Sequence, residues 1–202
     1  LYFCKILLKT KTTLLFFNDT ATTEIYTLSL HDALPILNEN GTNVVAIGKI
    51  QDLFSGRGID SAIHTNGNAD GIEKTIEEIK KDTKGLIFTN LVDTDMLYGH
   101  RNNIEGYARA LEYFDSKLLE IMSNMKENDM LIITGDHGND PSTPSTDHSR
   151  EYTPILVYGK NIKENVNLGI RSTFADISAT ILDMLDLPKL ENGISFRKEI
   201  EK

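Results

Sequence analysis

The chain reads as an α/β protein with a mostly parallel sheet covered by helices on both faces. Three observations predict it. Short β-branched runs alternate with amphipathic helical stretches from Asn38 onward. Those strands are apolar nearly throughout rather than alternating, as strands buried on both faces are. The polar, glycine-containing stretches follow the strands, where open α/β sheets place their ligand sites.

The elements justify this in order. "VVAIGKI" (Val44–Ile50) reads as a buried strand ending in glycine and lysine. "DGIEKTIEEIKKDT" (Asp70–Thr83) reads as an amphipathic helix capped by Asp70, with Ile72, Ile76 and Ile79 inward. "GLIFTNLVD" (Gly85–Asp93) is a second strand. Asn103–Asn128 is the strongest helix, with Ile104, Tyr107, Ala108, Leu111, Phe114, Leu118, Ile121, Met122 and Met125 forming a core stripe. "DMLIITGD" (Asp129–Asp136) and "TPILVYG" (Thr153–Gly159) are strands. "TFADISATILDML" (Thr173–Leu185) is a helix with Phe174, Ile177, Ile181 and Leu185 inward, stopped near Pro188. Residues 1–36 show no steady period and are assigned to neither helix nor strand.

Bulk properties narrow the function. The 202 residues suffice for one domain with a sizeable core. The net charge of −9 argues against nucleic acid and anionic membranes as partners, but not against a small phosphorylated substrate. The one cysteine, Cys4, allows no intrachain disulfide and fits a reducing compartment such as the cytoplasm. No apolar run reaches the roughly 18 residues of a membrane helix, and Leu1–Leu8 makes a poor signal peptide.

The chemistry concentrates in two loops. Asp95 and His100 lie in "DTDMLYGHR", after the strand at Leu86–Val92. Asp136, His137 and His148 lie in "GDHGNDPSTPSTDHSREYTP", after the strand at Met130–Thr134. Carboxylate oxygen and imidazole nitrogen suit a divalent ion of intermediate hardness such as manganese or zinc. Five such ligands exceed one ion with an open position and suit two ions, a pairing that can clamp a phosphoryl group. Lys49, ending a strand, is either a phosphate contact or a solvated lysine. Arg150 and Glu151 either pair with each other or orient a ligand.

"NLVDTDMLYGHRNN", "GDHGNDPSTPSTDHSREYTP" and "VVAIGKIQDLFSGRGI" together resemble the bacterial phosphopentomutase family, within the alkaline phosphatase superfamily. The resemblance runs from about Asn38 to the C-terminus. It implies interconversion of ribose 1-phosphate, or its 2-deoxy form, with the 5-phosphate, through a phosphothreonine enzyme and two manganese ions (Mg2+, Co2+ or Zn2+ as substitutes). It further implies that Asp95, His100 and His148 hold one ion and Asp136 and His137 the other. A metal-dependent phosphatase or phosphoglycerate mutase of the same superfamily, or a non-catalytic metal-binding fragment, are the alternatives.

The chain departs from the family before Asn38. The family's first-strand aspartate ligand, threonine nucleophile and sugar-selecting cap have no recognisable counterpart, and Asp19 with its neighbouring threonines has the wrong spacing. "FFNDTATTEIYTLSLHDALPI" resembles translated sequencing-adapter read-through. Residues 1–37 are therefore expected to be non-native, and 38–202 to form the C-terminal part of the core, inactive as a mutase by itself. Sugar preference and oligomeric state are not legible.

Overall fold

The computed structural model describes residues 7–9, 12–15, 30–82 and 84–202. Cys4 and Asp19 lie outside the described residues. The elements run β1 (Leu7–Lys9), β2 (Thr12–Leu15), α1 (Ala33–Glu39), β3 (Asn43–Ile47), α2 (Ile50–Leu53), β4 (Ser61–Ile63), α3 (Asn68–Lys80), β5 (Gly85–Thr89), α4 (Ile104–Asn124), β6 (Met130–Thr134), β7 (Ile155–Tyr158), α5 (Ala175–Met184) and α6 (Arg197–Ile200). A π-helical turn at Thr94–Tyr98 and a 3-10 turn at Gly99–Arg101 join β5 to α4.

The sheet order is β4-β3-β5-β1-β2-β6-β7. β4, β3 and β5 run parallel to one another, and β2 runs parallel to both β5 and β6. β1 is antiparallel to its neighbours. β7 lies at the edge and pairs antiparallel with β6, from Leu131 opposite Tyr158 to Thr134 opposite Ile155. A 20-residue connection without a helix links β6 to β7, so it returns as a long hairpin rather than a parallel crossover.

α1 packs on β3 and against α5; α3 packs on β5 and β3 and against α4. The two helix pairs flank the sheet. β3, β5 and β6 are buried almost throughout, as their continuous apolar runs require. Phe54 and Phe88, with ring centroids 5.6 Å apart, and Phe196 are among the largest fully buried side chains.

Several elements differ from expectation. The strand at Val44 stops at Ile47, because Gly48 takes a φ of 85° and its Cα sits close under the Asn90 carbonyl, where a Cβ would lie 2.7 Å from the oxygen. Lys49 and Ile50 then open α2. Asp70 does not cap α3. Gly67 holds the cap position, and Asp70 sits in the first turn, where its Oδ2 accepts from Asn66 N at 2.8 Å. α4 ends at Asn124 rather than Asn128, and its buried stripe is narrower than its apolar pattern. Tyr107, Phe114 and Ile121 are buried, Leu111 and Leu118 are half-buried, and Ile104 and Ala108 are exposed. α4 packs against α3 and the π-helical turn. α5 spans Ala175–Met184, with Leu185 half-buried after it. α1 forms where no element was assigned, with Ala33, Leu34 and Leu37 in the core. Among the described residues no helix is long and apolar enough to cross a membrane.

Candidate metal centre

Two loops build the site, one after β5 and one after β6. The chain leaves β5 at Thr89 and enters the π turn, which is one residue wider than an α turn and carries Asp95 into the interior. Asp95 is fully buried. The following 3-10 turn presents His100. Below them, Asp93 and Asn68 clasp each other. Asn68 N donates to Asp93 Oδ2 and Asp93 N donates to Asn68 Oδ1, each at 2.9 Å, so the start of this loop is tied to the first turn of α3.

The second loop leaves β6 at Thr134 and buries Asp136, His137, Gly138 and Asn139 in succession. An isolated antiparallel bridge between Gly138 and Ser149 pinches its base, with Ser149 N donating to Gly138 O at 2.9 Å. The bridge brings His148 back beside His137, with ring centroids 3.8 Å apart.

All five expected ligands meet. Asp95, His137 and His148 each offer a donor atom within 4.8 Å of the other two. His148 Nε2 lies 3.4 Å from Asp95 Oδ1, and His100 Nε2 lies 3.2 Å from Asp95 Oδ2. The Nε2 atoms of His100 and His148 are 3.1 Å apart. Asp136 Oδ1 accepts from the His137 backbone N–H at 3.0 Å and lies 3.5 Å from His137 Nε2. The donors form one continuous cluster, without a visible gap between the two groups that the resemblance distinguishes.

Backbone carbonyls settle the tautomers. A carbonyl can only accept, so His100 donates from Nδ1 to Thr146 O at 2.5 Å and His137 from Nδ1 to Gly138 O at 3.1 Å. Both rings therefore carry their lone pair on Nε2, the atom that faces the cluster, as ligating histidines do. Burial pushes the His137 pKa down to about 4, with the neighbouring His148 adding to the effect. Burial also lowers His148, against the pull of the Asp95 carboxylate. Imidazole nitrogens and carboxylate oxygens in one cluster fit a divalent ion of intermediate hardness.

Lys49 Nζ lies 2.9 Å from Met96 Sδ, so it does reach the loop that carries Asp95. Glu151 pairs with Ser149 Oγ rather than with Arg150, and its carboxylate closes over Gly138. Sequence reasoning missed two asparagines. Asn139 Nδ2 donates to Asp95 Oδ1 at 2.6 Å across the two loops. Asn102 Nδ2 donates to Thr143 O at 2.5 Å and Ser145 O at 3.2 Å. Both stand inside the quoted motifs, which was the one available signal.

Comparison with known proteins agrees with this geometry. A family model described as the metalloenzyme superfamily matches residues 40–189. A phosphopentomutase of Kosmotoga olearia is 60% identical over 168 residues, covering 83% of this chain and 43% of that protein. A phosphopentomutase of Clostridium novyi is 55% identical over 166 residues, covering 82% and 43%. The chain thus spans less than half the length of the curated relatives it matches. Among solved structures, a Leishmania mexicana phosphoglycerate mutase superposes with a TM-score of 0.66 at 18% identity, over 83% of this chain and 39% of that one. A protein in the alkaline phosphatase superfamily from Vibrio parahaemolyticus gives 0.56 at 17% identity, over 75% and 46%. These likenesses concern the fold alone. With its donor cluster at the ends of β5 and β6 and its family match over residues 40–189, the chain belongs to the metalloenzyme superfamily.

Proposed function

We propose that residues 38–202 form the metal-binding part of a cytoplasmic phosphopentomutase that interconverts ribose or deoxyribose 1-phosphate and the 5-phosphate. The observation that carries this is the cluster of Asp95, His137 and His148, with His100 beside Asp95 and Asp136 beside His137. Identity of 60% to a phosphopentomutase over 168 residues supports it. The start of the family match at residue 40 supports a boundary near residue 37, although α1 spans that boundary and buries Leu34 and Leu37.

In this reading Asp95, His100 and His148 hold one Mn2+ and Asp136 and His137 contribute to a second. Divalent ions there supply charge neutralisation to a transferring phosphoryl group. The chain's own groups prepare the site. The Thr146 and Gly138 carbonyls hold the His100 and His137 protons on Nδ1. Asn139 aims the Asp95 carboxylate. Lys49, whose Nζ reaches the loop that carries Asp95, would meet a phosphate oxygen in this reading. The family resemblance puts the threonine nucleophile outside residues 38–202, so the chain by itself is expected to bind metal without converting substrate.

Calorimetric titration of MnCl2 into the metal-free chain tests the reading, alongside Asp95→Ala and an assay of ribose 5-phosphate formation from ribose 1-phosphate. Saturable binding lost in Asp95→Ala, without turnover, is expected. No binding by the folded wild-type chain would sink the metal assignment. Turnover by the chain alone would overturn the placement of the nucleophile.

A further inference from the structure

We propose that Asn102 is a positioning residue, a latch that seats the β6–β7 loop so that His148 reaches Asp95. The inference rests on the metal-site reading above. Asn102 closes the 3-10 turn in the left-handed region, at φ 50° and ψ 33°. Asparagine tolerates that conformation better than most residues. From there its carboxamide crosses to the proline-containing loop and donates to two of its carbonyls, Thr143 O and Ser145 O. His100 donates to the next carbonyl, Thr146 O.

These bonds are not needed to satisfy buried groups. Ser145 and Thr146 are exposed and Thr143 is half-buried, so water would serve their carbonyls. What the bonds supply is placement. The outer part of the loop otherwise turns on itself, with Asp140 accepting from Ser142 N at 2.9 Å and from Ser142 Oγ at 2.6 Å. His148 stands three residues after Ser145. The Gly138–Ser149 bridge holds it from one side only. The Asn102 bonds hold the approach from the other side, and so fix the 3.4 Å separation between His148 Nε2 and Asp95 Oδ1.

The backbone conformation allows a clean test. Asn102→Gly keeps the left-handed conformation and removes only the carboxamide. Asn102→Asp keeps the shape and replaces the donor with an acceptor that the carbonyls repel. Asn165→Gly is the control, an exposed asparagine with φ 58° on a different segment of the chain. Hydrogen–deuterium exchange on the metal-free chain reports the latch whether or not metal binds. Exchange over residues 145–149 is expected to quicken about fivefold or more in Asn102→Gly and Asn102→Asp. Calorimetry with MnCl2 is expected to show affinity lowered about ten- to hundredfold in both, as for lost partners of metal ligands. The melting temperature of the metal-free chain should stay near that of Asn165→Gly. Unchanged exchange in Asn102→Gly, or wild-type behaviour of Asn102→Asp, overturns the latch. Quickened exchange with no Mn2+ binding even by wild type would retain the latch and overturn the metal reading.

Discussion

The Nε2 atoms of His100 and His148 face each other across 3.1 Å. The Thr146 carbonyl keeps the His100 proton on Nδ1, so His100 Nε2 can only accept. In the metal-free chain His148 supplies the shared proton. A divalent ion bound by both rings displaces it from Nε2, and a neutral His148 then carries the proton on Nδ1, so binding changes its tautomer without releasing a proton. His148→Ala is expected to lower Mn2+ affinity by at least about 100-fold, the upper end of what losing a ligand's partner does. Its fold should be intact, because His148 sits at the rim with a half-buried ring. Calorimetry checks the affinity, and equal heats in two buffers of different ionisation enthalpy check that no proton is released.

His137 makes the metal-free chain acid-sensitive. Its folded-state pKa, about 4, lies below the ordinary 6.5. Between those values the unfolded chain binds a proton that the folded chain refuses, so unfolding becomes easier as pH falls. The stability is complete above about pH 6.5 and declines toward pH 4, by about 3 kcal/mol at most. Urea melts of the metal-free chain from pH 7 to 4.5 should show the decline, and His137→Gln should flatten it. Equal slopes for the two proteins would remove His137 as the cause.

Gly99 is a steric requirement rather than a conformational one. Its backbone is ordinary right-handed helix, at φ −61° and ψ −60°, so alanine is unstrained there. A Cβ would nevertheless sit 2.6 Å from Asn139 Cγ, driving the carboxamide off Asp95. Gly99→Ala is expected to cost about 1–3 kcal/mol and to weaken Mn2+ binding about tenfold. Denaturant melts and metal titration check the two effects separately.

Asp176 carries stability outside the donor cluster. It is buried at the start of α5, accepts from Arg171 Nε and from Ile194 N at 2.8 Å each, and so staples the C-terminal segment to the helix. Asp176→Ala leaves the half-buried Arg171 without its main partner and should destabilise the chain by about 3 kcal/mol or more. Mn2+ affinity of the folded protein should be unchanged, as titration below the melting range would show.

Much of this was legible in the sequence because it depends on local pattern. The apolar runs at Val44, Leu86 and Met130 are strands, and the five acid and histidine positions lie in the loops after them. What escaped depends on contacts distant in sequence. Asn139 meets Asp95 across 44 residues and Asn102 meets Thr143 across 41, and no periodicity encodes either. Ile104 fits the helical stripe of α4 by spacing but is 56% exposed, because apolar spacing marks a face without saying how far the neighbouring helix extends along it. Asp70 had the composition of a cap, yet the cap position fell to Gly67, set by the Asp93 clasp. The antiparallel course of β7 likewise follows from a connection without a helix, which alternation of elements does not reveal.

The π turn at Thr94–Tyr98 makes the site sensitive to reading distance. Removing one residue there would swing everything after it by about 100° unless the wide turn closed to absorb the loss. His100 would then point away from Asp95, and Asn102 away from the loop it holds. Substitutions within the turn leave this count untouched, whereas a single-codon deletion that is not absorbed disables the cluster with every ligand still in the gene. The number of residues between Asp95 and His100 is thus as much a part of the candidate metal centre as its donor residues are.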